Sequence, residues 1–522
     1  MPDRWNLATA LAGGRGGRDE GGRVALREPH RAWSYDELAT SVARFAAALA
    51  ALGVRRGDRV AVLSPDGLEA AAAILAAIHA GAIAVPLSEL GRAKDVRAFI
   101  RDAGAVLAVV HESLAPVLDE VRADLPSLRE VVVIGAARGE DRSFAALVAA
   151  HPPAPPADTA ATDVALLLYS TSPSERPRGV AHTHQTPLAA YQAYSDGILR
   201  IDAGDRVFSP ARLATAFGLG GGLIFPLAAG AESILLPQQA RSRPVFDVLA
   251  ALRPTLLFAT PSLVAQLLSD LGSDSAGRAL GASLRACVAG GETLPARLVE
   301  RVKMQLGVDI LPGYGLTEAF HFVIATPPGR SRPGAAGIVV PGFEARVMVE
   351  GRPAAAKEIG TLEVRGPTLA ARYWNREDDS QVTFVGGWLR TSDRFMVDED
   401  GFYYHCGRTD DLFKVGGKWV SPSEVERTLL AHEAVWECAV IGVDDEEGLT
   451  KPIAFVVPNV DHAPGPELER ELIEHVKREI APYKYPRWVQ FVDELPKGPH
   501  GRVLRYKLLR KRPSRKISVP GV

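Results

Sequence analysis

Residues 59–87 read RVAVLSPDGLEAAAAILAAIHAGAIAVPL: a β-branched run, a long alanine-rich stretch and a second apolar run. The outer pieces have the length and composition of buried strands, and the middle has those of a helix. His79, Gly81 and Pro86 interrupt the apolar stretch 70–87, which therefore reads as a buried helix leading into a strand and not as a membrane span. The alternation continues on both sides, with ARFAAALAALGV (43–54) before it and AVLAVV (105–110) after it. Strand–helix–strand alternation of this kind predicts an α/β protein built on mainly parallel sheets.

Further out the pattern changes. HPPAPPADTAATD (151–163) reads as a proline-rich connector and VALLLYS (164–170) as a short buried strand. From 337 to 373, ARVMVE and GTLEVRG between turns predict a smaller β subdomain. Beyond 410 come a helix at SPSEVERTLLAH (421–432), strands at ECAVIGV (437–443) and PIAFVVP (452–458), and a helix at ELERELIEHVKREI (467–480). These predict a large N-terminal domain over 1–409, a small α+β C-terminal domain over 410–511, and a basic tail over 512–522. A chain of 522 residues is long enough for such a division, since single cores rarely grow past roughly 250–300 residues. The net charge of −2 argues against nucleic acid or a membrane surface as partner. Cys287, Cys406 and Cys438 lack metal-site spacing and predict neither a disulfide framework nor a zinc site. The first residues show no basic segment followed by an apolar one, so the cytoplasm is the expected compartment.

Five segments carry chemistry: YSTSPSERPRGVAHTH (169–184), GYGLTE (313–318), TSDRF (391–395), GRTDDLFKVGGKWVSPSEVE (407–426) and LPKGPHGRVLRYKL (495–508). In this order the chain resembles the adenylate-forming superfamily of acyl-CoA synthetases. ATAFGLGGGLIFPLAAGA (214–231), AGGETLP (289–295), RYWN (372–375) and APYKYPR (481–487) are similar to the benzoate-CoA ligases within it. Members activate a carboxylate with ATP as an acyl-AMP and then pass the acyl group to a pantetheine thiol, rotating a mobile C-terminal domain between the two half-reactions.

The resemblance implies a role for each matching position. Asp393 and Arg408 would hold the ribose, Thr317 the α-phosphate, and Glu318 a magnesium ion, a hard cation that takes oxygen ligands. Asp410 would be the hinge, and Lys414, Gly416 and Gly417 would meet the pantetheine arm. Ala216, Phe217 and Gly218 would wall the aryl pocket, with Gly290, Gly291 and His321 on its far side. Cys406, beside the Gly407–Arg408 pair, is a candidate acyl-carrying nucleophile, set against the ordinary reading of a small buried hydrophobe. His182 and His184 read as supports of the loop, with a base role as the competing reading.

Two positions depart from the family. Its phosphate loop offers glycine N–H groups and a lysine to phosphate oxygens. Here Ser170, Thr171, Ser172, Pro173, Ser174, Glu175, Arg176, Pro177 and Arg178 occupy that register. Pro173 has no N–H to give. Glu175 places a carboxylate near the polyphosphate, a repulsion of up to about 4 kcal/mol at about 4 Å and an effective dielectric near 20. The family's adenylating lysine is replaced by Arg502, a planar fork on a different stem. Both departures fall on ATP activation. The expected function is therefore an acyltransferase carrying a benzoyl- or anthraniloyl-type group from CoA to the phosphopantetheine thiol of an acyl carrier protein. It would need no ATP or metal, with AMP as an optional participant. The alternatives are an ATP- and Mg2+-dependent aryl-CoA ligase and a non-catalytic aroyl-CoA-binding protein.

Overall fold

In the computed structural model, which describes residues 4–12, 21–170, 177–271, 274–415, 418–445, 449–459, 461–497 and 503–510, the stretch 59–87 folds into the strand Arg59–Leu63, the helix Leu68–His79 and the strand Ile83–Leu87. The strands pair in parallel, Arg59 opposite Ile83 through Leu63 opposite Leu87. Every residue of the helix except Glu69 is buried. Its alanines share one core with Leu38, Val42, Phe45 and Leu49 of the helix Tyr35–Ala51. That second helix begins in a reciprocal capping box between Ser34 and Glu37, which satisfies two N-terminal N–H groups. The Glu28 carboxylate caps the first helix by accepting from the Leu68 N–H at 2.8 Å.

The proline-rich connector is not a free span. Ala154 N–H donates to the Ala43 carbonyl at 3.1 Å and Ala157 N–H to the His79 carbonyl at 2.8 Å, strapping it across the helix pair. Beyond it the strand Val164–Ser170 joins Ile83–Leu87 in an eight-stranded sheet whose far edge is made by Arg178–Thr183 and Arg372–Tyr373. A nine-stranded sheet follows, in which Arg206–Phe208, Leu256–Ala259, Ala286–Ala289 and Ile310–Gly315 run in parallel. Phe322–Ala325 and Ile338–Val339 continue it with antiparallel pairing.

The β-rich region expected over 337–373 is present and extends further along the chain. Its antiparallel sheet runs from Glu344–Val349 through Gly360–Arg365 and Trp388–Val397 to Tyr403–Arg408, and Arg372–Tyr373 leaves it to pair with Arg178–Thr183. After the short ribbon Phe413–Val415 and Lys418–Val420, a three-stranded sheet of Val435–Asp444, Thr450–Pro458 and Trp488–Phe491 forms with its own apolar cluster. Leu468, Leu472 and Val476, four residues apart on the helix Pro466–Glu479, are buried in that cluster. The protein is thus an α/β fold with a large N-terminal domain of mixed and parallel sheets and a small C-terminal domain. No helix among the described residues is long and apolar enough to cross a membrane.

Candidate active site

The three sheets of the large domain meet around residues 314–322. Tyr314 ends a strand of the nine-stranded sheet, and its ring packs edge-on against Phe395 of the β subdomain at 4.7 Å. Asp393 is on the same hairpin as Phe395, directly opposite Arg408 in the register. The Asp393 carboxylate is buried; Arg408 Nη1 donates to Oδ2 at 3.1 Å and His405 Nε2 lies 3.0 Å from Oδ1. Burial pushes this carboxyl up, but the His405 hydrogen bond and the charge of Arg408 outweigh it and hold it below the usual carboxylate range. Tyr314 lies parallel to His405 at 5.9 Å.

The turn Thr317–Ala319 is anchored from the neighbouring sheet. His182 Nε2 reaches the Thr317 carbonyl at 2.7 Å, the Thr368 hydroxyl donates to the Ala319 carbonyl at 2.6 Å, and Ala370 N–H donates to the Glu318 carbonyl at 2.8 Å. Tyr373 donates its hydroxyl to Glu318 Oε1 at 2.8 Å. The turn closes on Phe320 at φ 65°, a left-handed conformation that a bulky residue adopts at a cost of about 1–3 kcal/mol. This strain is held in place by the contacts around it, and His321 follows it into a cluster of rings. His182 is buried, its pKa is lowered by burial to about 4, and its ring nitrogen holds the Thr317 carbonyl.

On the acyl side His321 is the polar centre of an aromatic cluster. Phe217 lies near-parallel to it at 5.6 Å, Tyr194 at 5.3 Å, and Phe225 meets it edge-on at 4.6 Å. Burial lowers its pKa to about 3, outweighing the opposing pull of the Phe217 backbone. Phe217, Gly290 and His321 come together as expected. Gly218 serves a different purpose: a methyl there would strike the carbonyls of Ala211 and Arg212, so the residue permits the turn into the helix Ala216–Leu219 and not a slot. Ala216 is buried in the first turn of that helix. Gly291, at φ 86°, has open space around it and serves the backbone bend after Ala286–Ala289. Beneath the segment, Arg212 is gripped by Glu89 at 2.6 Å and lies 3.7 Å from Asp66, whose burial pushes its carboxyl up to about 7.

Arg178, expected at the phosphates, stacks its guanidinium on the Tyr373 ring at 5.0 Å. Arg376 holds the Pro177 carbonyl through two hydrogen bonds of 3.1 and 2.7 Å. Ser170 ends the preceding strand. Thr171, Ser172, Pro173, Ser174, Glu175, Gly416, Gly417, Arg502 and the tail 512–522 lie outside the described residues, as do the side chains of Asp410 and Lys414. Cys406 does not suit the nucleophile role. It is buried, its thiol donates to the Tyr404 carbonyl at 3.4 Å, and burial raises its pKa away from the reactive thiolate. Lys497, next to the altered motif, pairs with Glu437 at 2.8 Å.

Sequence reasoning missed several members of the site. Tyr194, Phe225, Phe258 and Phe322 pack on the His321 cluster. Tyr373 steadies Glu318, and His405 pairs with Asp393. Tyr373, His405 and Phe225 had a signal, since they stand within or beside segments already singled out (RYWN, GRTDD and ATAFGLGGGLIFPLAAGA).

The comparisons with known proteins agree with this geometry. Residues 15–374 match the family of AMP-binding enzymes, and residues 424–502 match the AMP-binding enzyme C-terminal domain. The benzoate–CoA ligase of Thauera aromatica is 38% identical over 97% of this chain and 96% of its own length. The 4-hydroxybenzoate–CoA/benzoate–CoA ligase of Rhodopseudomonas palustris is 40% identical over 97% of this chain and 94% of its own. The crystal structure of the anthranilate CoA ligase AuaEII in complex with anthranoyl-AMP superposes with a TM-score of 0.93 at 36% identity, covering 98% of both chains. These full-length similarities to ligases overturn the expectation of an ATP-independent acyltransferase that requires no cofactor. The repulsion expected from Glu175 took no account of Arg176 and Arg178, which follow it and leave the segment 172–179 with a net charge of +1 (two arginines less one glutamate). A loop that stays positive can still attract polyphosphate. The chain belongs to the family of AMP-binding enzymes, and it is an enzyme of the adenylate-forming ligase kind.

Proposed function

We propose that the protein is an ATP-dependent ligase that joins a monocyclic aromatic acid to coenzyme A, releasing AMP and pyrophosphate. The observation that carries the reading is the continuity of residues 314–322, which run from the Asp393 cluster through Thr317 and Glu318 directly into the aromatic cluster at His321 and Phe322. An acid lying among those rings would present its carboxylate toward the Thr317 turn. There one carboxylate oxygen forms a bond to the α-phosphorus while the bond from that phosphorus to pyrophosphate breaks.

Each residue contributes a separate part. Asp393 would accept from ribose hydroxyls with the lone pairs left beside His405 and Arg408. Thr317 would donate to the α-phosphate from a turn that His182 and Thr368 hold still. Glu318 suits a magnesium ion held chiefly by phosphate oxygens and water, since Tyr373 occupies only its Oε1 and no cluster of metal ligands stands elsewhere among the described residues. When bound, that ion would neutralise charge on the pyrophosphate as it leaves. The domain division near 410 is the place where the C-terminal domain would turn, with Asp410 as hinge. Lys414, Gly416 and Gly417 would then face the pantetheine arm, whose thiol attacks the acyl carbon and expels AMP. Arg502 would stand in for the adenylating lysine.

The test is to incubate the protein with benzoate, ATP, Mg2+ and CoA and to follow benzoyl-CoA, AMP and pyrophosphate together. The reading expects the three products in equal amounts and none without ATP. Thioester exchange without ATP consumption, or no product from any aromatic acid, would overturn it.

A further inference from the structure

The strand Arg178–Thr183 is the return limb of the phosphate-loop register. On one side it pairs with Val164–Ser170, where Ser170 lies opposite Arg178. On the other it meets only the two-residue strand Arg372–Tyr373, and that pairing stops at Val180. Beyond it the backbone is caught one carbonyl at a time. Trp374 N–H donates to the Gly179 carbonyl at 2.8 Å, and Arg376 donates from Nε and Nη2 to the Pro177 carbonyl at 3.1 and 2.7 Å. The remaining Arg376 nitrogen, Nη1, lies 3.9 Å from Asp379, beyond hydrogen-bond length. Its planar fork thus closes on a single backbone oxygen, the one that follows residue 176.

The same segment reaches the outgoing limb through Asp102. Tyr169, the residue before Ser170, donates its hydroxyl to Asp102 Oδ2 at 2.8 Å, and Asn375 Nδ2 donates to the Asp102 carbonyl at 2.9 Å. Burial pushes the Asp102 carboxyl up, while the Tyr169 hydrogen bond and the charge of Arg376 pull the other way. Asn375 stands between Trp374 and Arg376 at φ 53°, a left-handed conformation that asparagine tolerates better than most residues. Tyr373 joins this brace to the metal side of the site, with the Arg178 guanidinium on its ring and its hydroxyl on Glu318.

We propose that Arg376 is a positioning residue for the first half-reaction: by holding the Pro177 carbonyl it fixes the limb that presents Arg178, and so sets how firmly the β- and γ-phosphates of ATP are held. Arg376 acts through that limb and touches no substrate itself. This inference rests on the ligase reading above and deepens it.

The experiment compares wild type, Arg376→Met and Arg376→Lys by calorimetry with ATP and with AMP in the absence of acid, by acid-dependent ATP–pyrophosphate exchange, and by thioester formation from supplied benzoyl-AMP and CoA. Arg376→Met removes two charge-assisted hydrogen bonds and should weaken ATP about tenfold while AMP stays within about twofold. Exchange should fall about tenfold through a higher KM for ATP, with thioester formation from benzoyl-AMP within about twofold of wild type. Arg376→Lys keeps the charge but offers the carbonyl a point donor in place of a fork, so it should lie between the two. It decides the matter if Arg376→Met does not fold. A merely structural residue would lower both half-reactions and the melting temperature together. That pattern, or an ATP-to-AMP affinity ratio that no folded variant changes, overturns the assignment. The two readings fail separately. Normal ligation with an unshifted ratio removes Arg376 alone. A shifted ratio with no exchange and no thioester from any aromatic acid removes the ligase reading and leaves Arg376 in place.

Discussion

The two ends of residues 314–322 are built by opposite means. At the Tyr314 end a buried carboxylate, Asp393, is surrounded by groups that complement it: a guanidinium, an imidazole and, behind them, the Thr391 hydroxyl oxygen, which accepts from the Asp393 backbone N–H at 3.1 Å. At the His321 end a buried imidazole is surrounded by rings. The first end offsets the cost of burying charge by pairing, so removal of one member leaves another charge exposed to a low dielectric. The second is organised by shape, and its polar centre stays neutral. Hydrogen bonds would thus set nucleotide affinity, and ring packing would set which acid is admitted.

The largest effect expected lies at the phosphates. If the altered loop limits the first half-reaction, Ser172→Gly with Glu175→Gly and Arg502→Lys should raise acid-dependent ATP–pyrophosphate exchange by about tenfold to a thousandfold. The upper figure corresponds to removing about 4 kcal/mol of repulsion in full. The loop changes alone should give less than the combined variant, because Arg502 acts on the same step from the other domain. An exchange rate indifferent to all three would mean that Arg176 and Arg178 already compensate, and would move the nucleotide end's limit to Asp393.

Asp393→Ala comes next. It strips Arg408 and His405 of their shared partner, a loss of about 3 kcal/mol that should lower kcat/KM for ATP about a hundredfold. Benzoate binding measured without nucleotide should hardly change. A fall that appears in benzoate affinity would break the comparison by coupling the two ends.

How much of this could be read in advance follows the same division. The parallel sheets were legible because buried strands and an alanine-rich helix alternate with the right lengths between 43 and 110. Asp393, Arg408, Thr317 and Glu318 were singled out because their short motifs resemble those of a known family, and the fold places Asp393 against Arg408 and Thr317 next to Glu318 on one anchored turn. The acyl end was not legible. Phe258 and Phe322 are apolar residues on strands, Tyr194 and Phe225 sit in helical turns, and any of them is an ordinary core residue until the fold brings it beside His321. Gly218 looked like part of the slot by its neighbours, whereas the Arg212 and Ala211 carbonyls show why a glycine stands there. The ATP-free reading failed because it took departures in the phosphate loop and at Arg502 as loss of ATP activation in a chain whose full-length relatives are ligases.

The histidines sharpen the comparison through pH. His182, His184 and His321 are buried with pKa values lowered to about 4, 4 and 3 from the ordinary 6.5. Unfolding lets each take up a proton below pH 6.5 that the native state refuses. The stability they contribute is complete above that value and is lost as the pH falls toward 4. Denaturant unfolding between pH 6.5 and 4 should therefore show stability falling by about 1.4 kcal/mol per pH unit for each such histidine. His321→Leu should remove one histidine's share of the slope while leaving AMP binding intact. An unchanged slope would mean that the acyl end admits water to the imidazole.

The smallest effect separates two readings of a residue that lies on the boundary itself. Cys406 directly follows His405 in sequence, so a strand's alternation turns its side chain to the face opposite that of His405. The Sγ accordingly donates to the Tyr404 carbonyl, while the Cys406 carbonyl accepts from Ser421 Oγ at 2.5 Å, tying the hairpin to the start of the helix Pro422–Leu430. That backbone bond survives loss of the thiol. Cys406→Ala should cost about 1 kcal/mol of stability, from one weak hydrogen bond and a small void, and leave kcat/KM for benzoyl-CoA formation within about twofold. If a thioester on Cys406 carried the acyl group, the same variant would lose several orders of magnitude in rate with its melting temperature unchanged, and intact-mass spectra of the wild type mixed with benzoyl-CoA would show an added benzoyl group. An unmodified mass and a near-normal rate leave the acyl group no resting place on the protein outside the ring-lined end.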